Sequence, residues 1–330
     1  MSIEILAPAL AAFVLTGVIL QLALQWARHL LPVDQPNERS LHVRPIPRFG
    51  GLAMLAGGAL ALAWANGGIA FPHWLWPLAV LAAVSLADDF LSLPFLPRLL
   101  IQLAVATVFV MQLPLHVMWV VPLVLAMVWM TNLFNFMDGS DGLAGSMALT
   151  GFAAYALAAA LAGDVEICTV SLAVCGAALA FLLRNRHPAS VFMGDGGSIP
   201  LGFLAAAVGL LGVVRDIWAP WFPLLAFLVF VLDATATLVQ RGLRGERVWQ
   251  AHRTHYYQRL VRMGFGHAAT ARLYAVAMTG CAASAVLAQQ LHPWAGYPVL
   301  FAWTALAVAW GRRLDRRWAH HQSEAAGSAS

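Results

Sequence analysis

Eleven apolar stretches recur along this chain at short intervals, most of them long enough to cross a bilayer as a helix, and no other feature limits its fold as severely. They lie near residues 4–26, 50–66, 73–87, 97–113, 115–131, 142–161, 167–183, 199–214, 219–240, 269–289 and 294–310. A backbone in lipid has to satisfy its own hydrogen bonds, so such a chain folds as a helix bundle. Hydrophobic residues make up 61% of the chain and charged residues 10%, with a mean hydropathy of +0.75. The expected fold class is therefore all-α, a polytopic membrane protein of about eleven transmembrane helices. One integral domain over residues 1–311 and a C-terminal tail over 312–330 is the expected organisation.

The loops alternate in character. Those after the second, fourth, sixth, eighth and tenth stretches are short and carry little chemistry, whereas every motif-like segment follows an odd-numbered stretch. All nineteen basic residues other than histidine are arginine, and Arg215 is the one that falls clearly on the even side. The bias of positive charge toward the inner face then predicts that the motif side and the C-terminal tail are cytoplasmic and the N-terminus outside. Glu4 precedes the first apolar run and Arg28 follows it, the pattern of an uncleaved span rather than a signal peptide. No interleaving of aromatic and basic residues points to nucleic acid, so the positive balance signals orientation and anionic partners. Cys168, Cys175 and Cys281 sit inside apolar runs and read as small core residues, not as a disulfide framework.

Four segments carry the polar chemistry. Asn132–Gly145, NLFNFMDGSDGLAG, gathers Asp138 and Asp141 at a spacing that shares one helical face, with Asn132 and Asn135 as amide donors and acceptors. Capping and turn formation account for one or two of these polar positions but not for seven. Asp88 and Asp89 end a third stretch of only ~15 residues, or ~22 Å of helix against a ~30 Å hydrocarbon core, which predicts acids recessed below the surface. In VFMGDGGS, residues 191–198, Asp195 stands between glycines whose amides suit a phosphate, Ser198 is placed as the cap of the next helix, and Phe192 could seat a flat base. In AHRTHYYQR, His252 and His255 are placed on one helical face with Arg259 in reach, which suits a pyrophosphate better than zinc. His42, Arg44 and Arg48 of the first loop are candidate phosphate contacts. Asp233, inside the ninth stretch, is either a functional acid or the buried partner of a neighbouring group. Carboxylates at several mouths on one side, together with histidines and arginines, describe a metal-assisted site for a polyanion at the membrane face.

At these residues the chain resembles the polyprenyl-phosphate N-acetylhexosamine-1-phosphate transferases, bacterial glycosyltransferase family 4. The resemblance is carried by Asp88-Asp89, NLFNFMDGSDGLAG, FMGDGGS with the following IPLG, HRTHYYQRL and PNERSLHVRPIPRFGG, in that family's order and over almost the whole chain. It implies transfer of an N-acetylhexosamine-1-phosphate from a UDP-sugar to undecaprenyl phosphate with release of UMP, at the bacterial inner membrane. Magnesium, replaceable by manganese, is the implied cofactor, with Asp195 and Asp141 as its ligands. Asp88, with Asp89 beside it, becomes the base or partner of the lipid phosphate. Asn132, Asn135, Asp138 and Asp141 hold nucleotide and metal-proximal groups, and His252, Arg253 and His255 the sugar or pyrophosphate. Membrane lipids and a homodimeric partner complete the expected associations, and nucleic acid is excluded. HRTHYYQRL lacks the continuous histidine triplet of the phospho-muramoyl-pentapeptide branch and looks more like enzymes that initiate O-antigen synthesis. Competing readings are a phospho-N-acetylmuramoyl-pentapeptide transferase, a CDP-alcohol phosphatidyltransferase, whose acidic motif DGSDGLAG matches only in part, and a secondary transporter with acids as ion sites.

Overall fold

The computed structural model describes residues 3–36, 44–68, 71–91, 93–248, 250 and 252–327, and within them each of the eleven apolar stretches is helical. The helices are α1 (Ile3–Trp26), α2 (Gly50–Ala65), α3 (Trp76–Leu91), α4 (Phe95–Met111), α5 (Val120–Met137), α6 (Leu143–Ala162) and α7 (Val165–Asn185). They continue with α8 (Asp195–Val214), α9 (Trp221–Ala226), α10 (Leu228–Leu243), α11 (Tyr256–Leu260), α12 (Gly266–Leu291) and α13 (Gly296–Gly327). Among the described residues seven helical segments are long and apolar enough to cross a membrane, and Gly50–Ala65 and Phe95–Met111 are shorter apolar helices. Large apolar side chains such as Leu10, Leu22, Leu60, Val121, Leu287 and Phe301 are exposed on the outside of the bundle. A soluble protein does not present so much contiguous apolar surface, and lipid is the solvent that suits it.

Helices pack closely where small residues let backbones approach, since lipid offers no hydrophobic drive for helix association. A Cβ on Gly176 of α7 would run into the Ala9 carbonyl of α1, so this contact brings the first span against the seventh. An aromatic cluster fills the middle of the bundle: Tyr155 stacks on Trp218 at 4.9 Å between ring centroids, and Phe134 meets Phe230 edge-on at 5.2 Å. Each such pair is worth about 0.5–1.5 kcal/mol beyond its area.

Four expectations about the helices need revising. The ninth stretch is two helices that meet at Phe227, whose fully buried ring is wedged among Phe134, Phe152 and Tyr155, fixing the break. Helix α3 runs past the acids to Leu91, because the Leu93 amide closes onto Asp88 Oδ1 at 2.7 Å before Pro94 stops the turn. Asp88 and Asp89 thus lie within the helix and not at its end, and packing encloses both carboxyl groups. Helix α8 begins at Asp195, three residues before Ser198, because Gly194 at φ +75° makes the turn into it. Helix α13 is continuous to Gly327, so residue 311 falls within a helix whose Asp315 still contacts the bundle.

Two clusters of contacts mark the two ends of the bundle. At one end Arg215 pairs with Asp164 (3.0 Å) and Glu166 (2.6 Å), and the Trp74 indole N–H donates to Glu166 at 2.9 Å. At the other, the antiparallel pair β1 (Val33–Asp34) and β2 (Ile46–Pro47) is extended by an Arg48–Phe192 bridge, which joins the first loop to the loop before α8.

Candidate active site at one end of the bundle

The site is assembled from α3, α4, α5 and α8. Arg98, one turn into α4, forms an ion pair with Asp88 and reaches Asp195 Oδ2 at 3.3 Å. Asn135, near the end of α5, donates from Nδ2 to Asp195 Oδ1 at 2.8 Å and to Ser198 Oγ at 3.1 Å. The Gly196 amide donates to Asp89 Oδ2 and the Gly194 amide to Asp138 Oδ2, both at 3.2 Å. Arg48, bonded to Asp34 at 2.6 Å, lies 4.0 Å from Asp89. Four carboxylates from three distant segments therefore meet around the first turn of α8 with two guanidinium groups among them.

Glycines make this possible. Gly51 of α2 and Gly197 of α8 touch backbone to backbone, and a Cβ on either would overlap the other's Cα. The crossing brings two helix N-termini together, and their positive ends favour anions nearby. The Phe192 and Met193 carbonyls accept from the Gly50 and Gly51 amides at 2.8 and 2.9 Å, so Phe192 contributes through its backbone.

Burial and the neighbouring Asp195 charge push the Asp138 carboxyl well above its ordinary range, against the pull of Arg48 and the Gly194 amide. Mutually repelling carboxylates with too few cations are an arrangement that a divalent cation relieves. Among the described residues no three or more His, Cys, Asp and Glu form a site that would hold a metal by protein ligands alone. Magnesium is not bound that way: it takes one or two carboxylates and fills its octahedron with water and phosphate oxygens. The hard oxygen donors of Asp195, Asp138 and Asp89 fit that requirement.

Beside the acids lies a cavity of about 260 Å³, lined by Arg98, Gln102, Asn132, Asn135, Asp195, His252 and His255 among others. It is smaller than the ~300–1,000 Å³ of pockets that enclose a whole ligand, and so is sized for part of one. Asn132 donates to Gln102 Oε1 at 2.7 Å and to the Val128 carbonyl at 2.8 Å, which fixes its amide on the cavity wall.

The histidines arrive on a loop, not on the helix expected for them. Asp233 accepts the Tyr256 and Tyr257 amides at 2.9 and 3.1 Å and the Tyr274 hydroxyl at 2.6 Å, which starts α11 at Tyr256 and leaves His252 and His255 ahead of it. Asp233 is thus the buried structural partner among its two expected roles, and its Oδ1 lies 3.4 Å from His255 Nδ1. The two imidazole rings are 4.7 Å apart, and burial, with His255 and Arg241 nearby, pushes the His252 pKa down to about 3. His252 is therefore a neutral imidazole in the working range. Arg241 is buried and holds this loop through Glu246 Oε2 (2.7 Å) and the Gln250 and Arg247 carbonyls (3.1 and 3.3 Å). Arg259 serves the Thr254 carbonyl and Asp315, both at 2.6 Å, instead of the cavity.

Three expected site residues lie elsewhere or outside the description. Asp141 turns to His187 Nδ1 (2.7 Å) and the Ala189 amide (3.1 Å), away from the contacts of Asp195, while Asn185 accepts the Gly142 amide at 2.8 Å. Arg253 is not on the cavity wall, and its carbonyl accepts from Arg262 at 3.3 Å. His42 falls outside the described residues. Arg98 and Gln102 join the site from outside the four polar segments, although an arginine inside the apolar run of α4 is itself a signal.

The family model for glycosyl transferase family 4 matches residues 71–213, which take in all four clustered carboxylates but not the histidine loop. A Bacillus subtilis protein named as a probable undecaprenyl-phosphate N-acetylglucosaminyl 1-phosphate transferase is 29% identical over 289 residues, 78% of this chain and 76% of its own. The decaprenyl-phosphate N-acetylglucosaminephosphotransferase of Mycobacterium tuberculosis is 31% identical over 313 residues, 79% of this chain and 76% of its own. The chain belongs to glycosyl transferase family 4. A phospho-N-acetylmuramoyl-pentapeptide-transferase of Geobacillus thermodenitrificans is 37% identical, but over 136 residues and 40% of each chain. As a family 4 protein the chain shares a shorter segment with this relative than with the two N-acetylglucosamine-phosphate transferases.

Proposed function

We propose that this protein transfers N-acetylhexosamine-1-phosphate from a UDP-sugar to undecaprenyl phosphate at the cytoplasmic face of the bacterial inner membrane, releasing UMP. The observation that carries this reading is the meeting of Asp88, Asp89, Asp138 and Asp195 beside a cavity walled by Asn132, Asn135 and His255. The family relatives, named for polyprenyl-phosphate sugar-phosphate transfer, support the same chemistry.

Each residue then has a task. Arg98, placed between Asp88 and Asp195, receives the lipid phosphate and holds the Asp88 carboxylate in place beside it. Asn135 fixes the Asp195 carboxylate, and Asn132, held by Gln102, presents its amide to the donor. Neutral His252 and buried His255 face the sugar-phosphate side of the cavity as hydrogen-bonding groups. An oxygen of the lipid phosphate attacks the phosphorus that bears the sugar, and the bond to the UMP oxygen breaks, so one phosphoanhydride replaces another. Magnesium held by Asp195 with Asp138 or Asp89 would neutralise the charge that moves to the leaving UMP. Asp141 acts at one remove, by tying the loop that carries Asp138 to His187. The sugar is an N-acetylhexosamine, either N-acetylglucosamine or a 6-deoxy relative, and the lipid product starts O-antigen or another envelope polysaccharide.

The test is direct. Purified protein with undecaprenyl phosphate, magnesium and a panel of UDP-N-acetylhexosamines should release UMP with at least one donor. Failure with every donor would overturn the transferase reading, and substrate uptake into proteoliposomes without UMP would replace it by a transporter.

A further inference from the structure

A second cavity lies where the transfer chemistry has no use for it. Between α10, α12 and α13 runs an apolar groove of about 470 Å³, walled by Leu232, Leu273, Ala277, Trp303 and Leu306. Leu273 and Leu306 are exposed on its rim, so the groove is reached from the side of the bundle. Water gains nothing in such a space and a hydrocarbon chain does. One end is polar: Gln240, Tyr256, Arg312 and Asp315 close it, at the end of the bundle that holds the acids. Asp315 pairs with Arg259 at 2.6 Å, and Asp233, the other acid on the wall, is occupied by the Tyr256 and Tyr257 amides and the Tyr274 hydroxyl, so the arginines of α13 outnumber the acids at that end. Arg312 stands on the groove wall, Arg316 follows one turn along α13, and Arg313 and Arg317 are exposed beside them.

We propose that this groove is a binding site for an anionic phospholipid, its acyl chain between α10, α12 and α13 and its phosphate on the arginines of α13. The complementarity has two parts, a hydrocarbon slot and a cationic end, and a phosphatidylglycerol meets both. The site also backs onto the histidine loop. Asp315 accepts from Arg259 and from the Tyr256 hydroxyl (3.1 Å), and Arg259 Nε donates to the Thr254 carbonyl between His252 and His255. A lipid seated against α13 therefore holds the mooring of that loop, and its loss loosens the cavity wall without touching an acid.

The probe is phosphatidylglycerol itself. Protein reconstituted in nanodiscs of phosphatidylcholine and phosphatidylglycerol in equal parts, then released for native mass spectrometry, should retain one phosphatidylglycerol per chain. Ala277→Trp, which fills the groove, should reduce retention to background. Arg312→Gln with Arg316→Gln, surface changes that leave the groove open, should weaken the preference for phosphatidylglycerol over phosphatidylcholine by roughly fivefold per arginine. Equal retention of both lipids, or retention undiminished in Ala277→Trp, would overturn the proposal. So would one-for-one displacement of phosphatidylglycerol by undecaprenyl phosphate, which would give the groove to the acceptor, or conversion of a dimer to a monomer by Ala277→Trp, which would make it a subunit interface. None of these readouts uses a UDP-sugar, so they stand apart from the transferase reading. Where that reading holds, lipid-free protein should show a raised KM for the donor with kcat less affected.

Discussion

Two sets of buried carboxylates lie at the same end of this bundle, and the fold treats them in opposite ways. Asp233 is surrounded by donors: two backbone amides, the Tyr274 hydroxyl and the His255 ring. The acids around α8 are surrounded by one another, with two arginines, three backbone amides and one asparagine to share. A buried carboxylate whose needs are met locally is architecture, and one whose needs are left open is waiting for a ligand. Burial alone does not distinguish the two, since Asp233 and Asp89 are almost equally hidden.

This contrast can be broken by substitution. Asp195→Asn should lower turnover on the order of 10²–10³-fold with the melting temperature held, measured by UMP release and thermal unfolding in detergent. An unfolded Asp195→Asn would put Asp195 with Asp233 as architecture. Asp233→Ala should instead destabilise by about 3 kcal/mol, because it orphans several buried donors at once. If that variant unfolds no more easily than the parent but loses activity, the assignment of the two sets is reversed. Asp138→Asn sharpens the comparison further. The Asp138 pKa is raised in the folded state, so its contribution to stability is present at acid pH and is lost as pH rises through the folded pKa. In chelator at neutral pH the asparagine variant should therefore melt higher than the parent, while with magnesium present it should turn over less, and a lower melting point in chelator would contradict the reading.

At neutral pH the smallest effect is expected at His252. Its folded pKa of about 3 lies below the ordinary 6.5, so the unfolded chain takes up a proton first as pH falls through that interval, and stability drains away there. His252→Asn should flatten the loss of stability between about pH 6.5 and 3, with little change at neutral pH. An unchanged acid profile would mean that the ring is not buried beside His255 as the cavity shows it.

The apolar stretches could be read directly because lipid imposes a simple rule on composition, and each of the eleven holds helix. Places where tertiary contact overrides the local pattern could not. The start of α8 moved to Asp195 because a glycine turn and a contact with α2 decide it, not the serine three residues on. The pairing of His252 and His255 with one helix failed because Asp233, twenty-odd residues away, sets where α11 begins. Of the candidate site, Asp88, Asp89, Asp138, Asp195, Asn132, Asn135, His252 and His255 converge, because each belongs to a polar cluster that an apolar chain does not otherwise keep. Asp141 belongs to such a cluster too, and only the partner across the bundle, His187, shows that it faces another way. The arginine of α4 was legible as an anomaly, but what it joins was not.

The contact between Gly51 and Gly197 has a consequence for anyone who would remodel this enzyme. With no side chain between them, the entrance of α2 and the entrance of α8 cannot slide or be re-spaced separately, and Arg48 and Asp195 travel as a single cassette. A chimera that imports one of these two segments from a relative with another donor preference must import the other with it, or the graft will clash at its first turn.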